Sequence, residues 1–244
     1  MKPFSITALT IAVALVLHAP LAVADGLIQQ LPMDGSWVRF DLTGEGRSPS
    51  GDVGVTLKGT MTLRSVGREM VDGAECRWVE TETSIEFQRG GATSQVGEVL
   101  KLLIPEKFLA ADQNPRAHVL KAWKKDREGV RELDLKGTDA REVESADELF
   151  HAPIPGAKRE EGIELKVTGG TFRCSHVSAK SKSKQGNSDI ELTTETWLTE
   201  KVPFGVAGYR LSKSRSANGA SQGTRTMEIK VAESGKDAKS AIEK

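Results

Sequence analysis

The stretch "YRLSKSRSANGASQGTRTMEIKVAE", Tyr209 to Glu233, decides the fold, because it supports two incompatible readings. Its centre, Gly219-Ala220-Ser221-Gln222-Gly223, spells the G-x-S-x-G pattern of a serine-hydrolase nucleophile elbow. An elbow needs a buried strand before the serine and a helix after it, so that the hydroxyl is lifted toward a histidine. Here Met227, Ile229 and Val231 alternate with Thr226, Glu228 and Lys230, which is the period of a strand with one wet face. The run before the motif is also extended in style, and Asn218-Gly219 between two such runs is a hairpin signal. Ser221 therefore reads as a serine beside a turn.

The same alternation spreads outward along the chain. "SWVRFDL" puts Val38, Phe40 and Leu42 on one face, and "VGVTLKGTMTLRSV" does so with Val53, Val55, Leu57, Gly59, Met61 and Leu63. Gly59 in the middle of that long strand predicts a bend where the sheet curves. Turns at Asp72-Gly73 and at "RGGA" carry the chain through "AECRWVETETSIEF" into "TSQVGEVLKLLI". After residue 161 the meander resumes, with Gly169-Gly170 and Gly186-Asn187 as its turns.

Between these halves the block from about 105 to 160 reads differently. Pro115 stands at a helix start, and Val119, Leu120 and Trp123 share one face of the following turns. "VRELDLKG" fits a strand and "ESADELF" a helical turn. The expected fold is thus α+β, predominantly antiparallel: a curved meander or half-barrel with a short helical cover. Residues 25–233 form a single domain in this reading, and the polar end, 234–244, is a disordered tail.

The first residues, "MKPFSITALTIAVALVLHAPLAVADG", carry Lys2, a short apolar run from Ile6 to Leu17, and Ala22-Val23-Ala24. That is the layout of a secretory signal peptide spanning 1–24 and cleaved before Asp25, and the run is short for a membrane-spanning helix. The expected location is outside the cytoplasm, periplasmic or extracellular. The chain holds 34 basic and 34 acidic residues. Such a balance lacks the basic excess of a nucleic-acid binder.

Two cysteines, Cys76 and Cys174, permit a disulfide in an oxidising compartment. The bond would close a loop of about a hundred residues and contribute up to about 4–5 kcal/mol. Two buried thiols are the alternative. Beyond the leader the histidines are His118, His151 and His176, scattered without ligand spacing, so no metal site is expected. Glu80, Glu82 and Glu86 share a strand face that reads as solvated, and Lys180, Lys182 and Lys184 share another. The lysines fit either an anion-binding patch or an edge guarded against aggregation. No catalytic, cofactor-binding or metal residue emerges, and no enzyme is expected.

One passage, "TTETWLTEKVPFGVAGYRL", combines a strand ending at Trp197, a polar turn, and Val202-Pro203-Phe204-Gly205-Val206 opening another strand. It resembles the Trp-x5-Pro-x-Gly hairpin of exported bacterial half-barrels of the LolA/LppX-like class. The resemblance implies a strongly curved antiparallel sheet whose concave face is covered by helices. It also implies a carrier of lipid or lipoprotein acyl chains without cofactor or catalysis. Trp197, Pro203 and Gly205 are expected to form a structural corner. Two functions follow as expectations: a binding module for an apolar or lipid-like ligand, or a structural and protein-interaction domain of the cell envelope with a filled core.

Overall fold

The computed structural model of the chain describes residues 26–110, 113–137, 139 and 156–243. The expected signal peptide, "ESADELF" and His151 lie outside the described residues.

Eleven strands form one sheet. They are β1 (Trp37–Arg47), β2 (Val53–Val71), β3 (Ala74–Arg89), β4 (Ala92–Pro105), β5 (Lys121–Asp126) and β6 (Gly129–Glu132), then β7 (Lys158–Val167), β8 (Gly170–Gln185), β9 (Ser188–Leu198), β10 (Val206–Ala217) and β11 (Ala220–Gly235). Their order is β6-β5-β4-β3-β2-β1-β11-β10-β9-β8-β7, so two meanders run outward from a central β1–β11 pair. That pair is antiparallel, with Phe40 opposite Val231 and Leu42 opposite Ile229. Asn218 and Gly219, at φ 51° and 78°, make the β10–β11 hairpin. Asp72-Gly73 and Gly90-Gly91 do the same at the ends of β2 and β3, again with both turn residues at positive φ.

The predicted helical cover is not there. Among the described residues the block holds only single 3-10 turns, Glu106–Phe108 and Pro115–His118, followed by β5 and β6. Val119, Leu120 and Trp123 suit a helix stripe, but the open edge of β4 presents unpaired backbone groups that a strand satisfies and a helix does not. The β5 chain takes that edge, pairing Ala122 with Leu102 and Lys124 with Leu100. The fold is accordingly an open, nearly all-antiparallel sheet and not α+β.

One face of the sheet holds the core. Val38, Phe40, Met61, Leu63, Val79, Leu102, Tyr209 and Ile229 occupy matching positions on β1–β4, β10 and β11, each 2% exposed or less. The strands approach closely at Gly59, where a Cβ would lie 2.0 Å from the Ser84 carbonyl oxygen. One end of the inner face is plugged by the segment before β1. Leu27 and Ile28 are buried there, and the Gln29 amide donates to the Phe204 carbonyl at 2.8 Å. Below the plug, the buried Arg77 guanidinium donates to Glu106, to the Pro32 carbonyl and to the Ser65 hydroxyl.

The outer face has its own cover, and it corrects two expectations. The described part of the expected tail, 234–243, is not loose: it crosses the outer face of β1–β4. The Trp37 indole donates to the Lys236 carbonyl, the Ala238 amide to the Gly35 carbonyl, and Ile242 is 1% exposed. Glu80, expected on a solvated face, is fully buried beneath this strap. It stands opposite Lys101 on β4, at 3.7 Å, and accepts from Ser240 Oγ and the Ala241 amide. Lys101 donates in turn to Ser240 Oγ and the Ile242 carbonyl at 2.8 and 2.7 Å. The sequence here looks unstructured, but Ser240 Oγ and the backbone of Ala241 and Ile242 supply the partners that a buried ion pair needs.

The expected disulfide is absent as well. Cys76 on β3 and Cys174 on β8 are both buried free thiols. The two strands are six places apart in the sheet order, a separation of about 29 Å along the sheet.

Candidate functional site

The inner face changes character from its plugged end to its hairpin end. Toward the tips of β2–β3, β8–β9 and β10–β11 the inward residues stay apolar but lose their cover. Leu57 is still buried, Ile85, Phe87 and Leu192 are half-buried against the core, and Val96 is 51% exposed. Between β8, β9 and β10 this end opens into a hollow of about 390 Å3. Ile190, Leu192 and Leu211 form its apolar floor, with Ser181, Ser183, Lys184 and Lys213 around it. The hairpin turns place these residues. Register from the Asn218-Gly219 turn sets Lys213 opposite Arg225, and Leu192 lies opposite Lys213 on the other side.

The lysine series on β8 divides. Lys180 and Lys182 both bond Glu191, at 2.7 and 3.2 Å, which holds its carboxyl below the usual range. Lys184 instead lines the hollow. All three stand where β8 outruns β7, whose pairing ends at Lys158 opposite Ser178.

A second hollow, about 680 Å3, lies at the Trp197–Gly205 corner. Gln29, Arg159, Glu161, Arg173, Lys201 and Gly205 are among its lining residues. Ser175 and Arg159 both bond Glu161 and, in that order, keep its carboxyl below the ordinary value. The corner itself is a turn in which Gly205 N donates to Val202 O at 3.0 Å. Pro203 takes its second position and Phe204, at φ 68°, its third. That is a type II pattern, unusual in having a phenylalanine where glycine is preferred. Phe204 is fully buried, and that burial holds the strained backbone. Gly205 sits at φ 85° with Gln29 Cβ only 3.1 Å from where its own Cβ would be. Trp197 packs against Gly208 and stacks on His176, with ring centroids 4.9 Å apart.

The remaining candidates of the sequence are dispersed. Ser221 is exposed, and its hydroxyl accepts from the Gly223 amide at 3.2 Å inside the hairpin. His118 stacks on Phe108, so neither described histidine is brought to Ser221. Glu82 pairs with Arg64. Burial pushes both thiols, Cys76 and Cys174, up in pKa. Among the described residues no three His, Cys, Asp or Glu side chains gather as metal ligands, and no helix is long and apolar enough to cross a membrane. Sequence reasoning missed Ile190, Leu192, Leu211 and Lys213 as a group. Their shared inward parity is readable only once the β8–β11 register is known.

No family model matches the chain. Among curated proteins, the pre-mRNA-splicing factor SLU7 of Cryptococcus neoformans is 25% identical over 122 residues, 50% of this chain. The chain spans 21% of the length of that relative. Among solved structures, a protein described as exported, with a YmcC-like fold, from Bacteroides fragilis aligns over 87% of this chain and all of its own, at 8% identity and TM-score 0.32. A β-barrel-like domain of unknown function from Brucella abortus aligns over 86% of this chain and 99% of its own, at 12% identity and TM-score 0.29.

Proposed function

We propose that this chain is an exported, non-enzymatic binding module that takes an apolar chain at the hairpin end of its inner face. The observation that carries this reading is the uncovered continuation of the core: Ile85, Phe87 and Val96 on β3 and β4 share the inward parity with little cover, and on β8–β10 a 390 Å3 hollow is floored by Ile190, Leu192 and Leu211. Side chains in a filled core are closed on all sides, whereas a ligand site of this class is a partly apolar hollow of roughly 300–1,000 Å3. The 680 Å3 hollow is larger, but its Arg159, Glu161 and Ser175 are already bonded to one another, and an apolar chain there would desolvate them without replacement. Export rests on the apolar leader and its Ala22-Val23-Ala24 site, and N-terminal sequencing of the exported protein should begin at Asp25.

The alternative, an envelope domain with a filled core, draws on the plugged end, where Phe40, Leu63 and Phe204 are fully buried. Titration with N-phenyl-1-naphthylamine, a neutral apolar fluorophore, separates the two. A binding module gives saturable enhancement that Leu192→Asp abolishes while circular dichroism is unchanged. Non-saturable enhancement, or binding unaffected by Leu192→Asp, supports the filled-core domain.

A further inference from the structure

The 680 Å3 hollow at the Trp197–Gly205 corner is unsuited to an apolar chain, and its walls favour a different occupant. Five charged side chains line it, Arg159, Arg173 and Lys201 against Glu161 and Glu200. Arg159 and Glu161 bond each other at 2.6 Å and share the Ser175 hydroxyl, so both are already satisfied. Glu200 and Lys201 are exposed neighbours of opposite charge. Arg173 is the charge left over. Register sets it opposite Glu164 on β7, yet Glu164 turns to Lys166 at 3.6 Å. The register shift between Glu160 and Ile163 brings Gly162 to this place at φ 75°, and the exposed guanidinium lies over it. A Cβ on Gly162 would stand 3.1 Å from one terminal nitrogen of Arg173 and 3.3 Å from its Nε. Among the described residues no carboxylate bonds Arg173. The plug adds acceptors to this free donor. Gln29 and Gln30 line the same hollow, with their amide nitrogens committed to the Gly26 and Val202 carbonyls at 3.1 and 2.9 Å. Each Oε1 is left without a donor among the described residues.

We infer that this hollow is a second binding site, for a small hydroxylated anion. The planar fork of Arg173 takes the anionic group through two parallel hydrogen bonds, the geometry in which arginine binds carboxylates and phosphates. Hydroxyls of the same molecule donate to Oε1 of Gln29 and Gln30. The volume suits a ligand of sugar-acid size, within the roughly 300–1,000 Å3 of small-molecule sites. The chemistry is shared by a polyhydroxy carboxylate and a sugar phosphate. The site stands apart from the apolar one, which lies at the other end of the sheet between β8, β9 and β10.

Calorimetric titration of the full exported chain with gluconate, glucose 6-phosphate and glucose tests this. At least one of the two anions should bind, more tightly than glucose, and its affinity should fall as salt is raised. The tighter anion identifies the group that Arg173 holds. In Arg173→Gln that affinity should drop on the order of tenfold, the loss expected for charge-assisted hydrogen bonds. Arg173→Lys, which keeps the charge and loses the fork, should fall between the two. Arg173 is exposed, so circular dichroism of both variants should match the parent. Leu192→Asp, which removes naphthylamine binding at the hairpin end, should leave anion affinity unchanged, so the two sites fail separately. Glucose binding as tightly as the anions, anion affinity unchanged in Arg173→Gln, loss of anion binding in Leu192→Asp, or binding of none of the three would each overturn the site.

Discussion

Replacing Lys101 with methionine should be among the most damaging single changes outside the inner core. The Lys101 and Glu80 side chains are 6% and 0% exposed, and the two ions face each other under the C-terminal strap. Lys101→Met fills the volume but leaves the Glu80 carboxylate buried with only the Ser240 hydroxyl and the Ala241 and Ile242 amides. Removing one partner of a buried pair costs about 3–5 kcal/mol. The variant also loses two anchors of the strap, the bonds from Lys101 to Ser240 Oγ and the Ile242 carbonyl. Domains of this kind have about 5–15 kcal/mol in total, so the loss is a large fraction. Urea unfolding followed by circular dichroism should show a lowered midpoint with an unchanged slope. Adding Glu80→Gln removes the orphaned charge, so Glu80→Gln/Lys101→Met should be about 1–3 kcal/mol more stable than Lys101→Met alone. Hydrogen exchange should show the Ala241 amide exposed in the single variant. A midpoint within experimental error of the parent, with that amide still protected, would refute the coupling of strap to ion pair.

Other perturbations probe separate parts of the fold. Gly205→Val forces a branched side chain to φ 85° and against Gln29, which should cost roughly 1–3 kcal/mol in urea unfolding and leave the probe affinity of the folded fraction unchanged. Full stability with probe binding lost would place this corner in the site. Denatured, unreduced protein should titrate two thiols with Ellman's reagent, and the native protein should react slowly, because Cys76 and Cys174 are buried and burial raises both pKa values. A titre of zero in the denatured protein would establish the bond instead. Glu191 is held below the usual carboxylate range by hydrogen bonds from Lys180 and Lys182. Its stabilisation is thus present above the unfolded value and lost as pH falls through the folded one. Glu191→Gln should melt with a shallower pH dependence between pH 7 and about 3 than the parent, and an identical slope would contradict the pairing.

Much of this fold was readable from alternation and turn chemistry. Val38-Phe40-Leu42 and Met227-Ile229-Val231 face inward as their parity requires, and Asn218-Gly219 turns as its positive-φ preference requires. The block after residue 105 was misread because Val119, Leu120 and Trp123 fit a helix stripe and a short edge strand equally well. The deciding force lay elsewhere in the chain, in the unpaired edge of β4, which also accepts the Leu120 amide at the Leu103 carbonyl. Glu80 and the last residues were misread for a related reason. Each is polar and looks solvated alone, and their pairing joins positions 160 residues apart. The state of Cys76 and Cys174 was not legible either: compartment chemistry permits a bond, while the two buried free thiols lie on strands six places apart. Of the candidate site, Lys184 was visible as part of "SAKSKSK", but the separation of Lys180 and Lys182 onto Glu191 depends on β8–β9 register.

Photo-crosslinking with a fatty acid carrying a diazirine near its methyl end tests the binding surface most directly. Irradiation of the exported chain followed by peptide mapping should label the strands around Ile190, Leu192 and Leu211, and excess laurate should compete the label away. Labelling confined to the outer face or to the Trp197–Gly205 corner, or labelling that laurate does not compete, would contradict an apolar chain held at the hairpin end of the inner face.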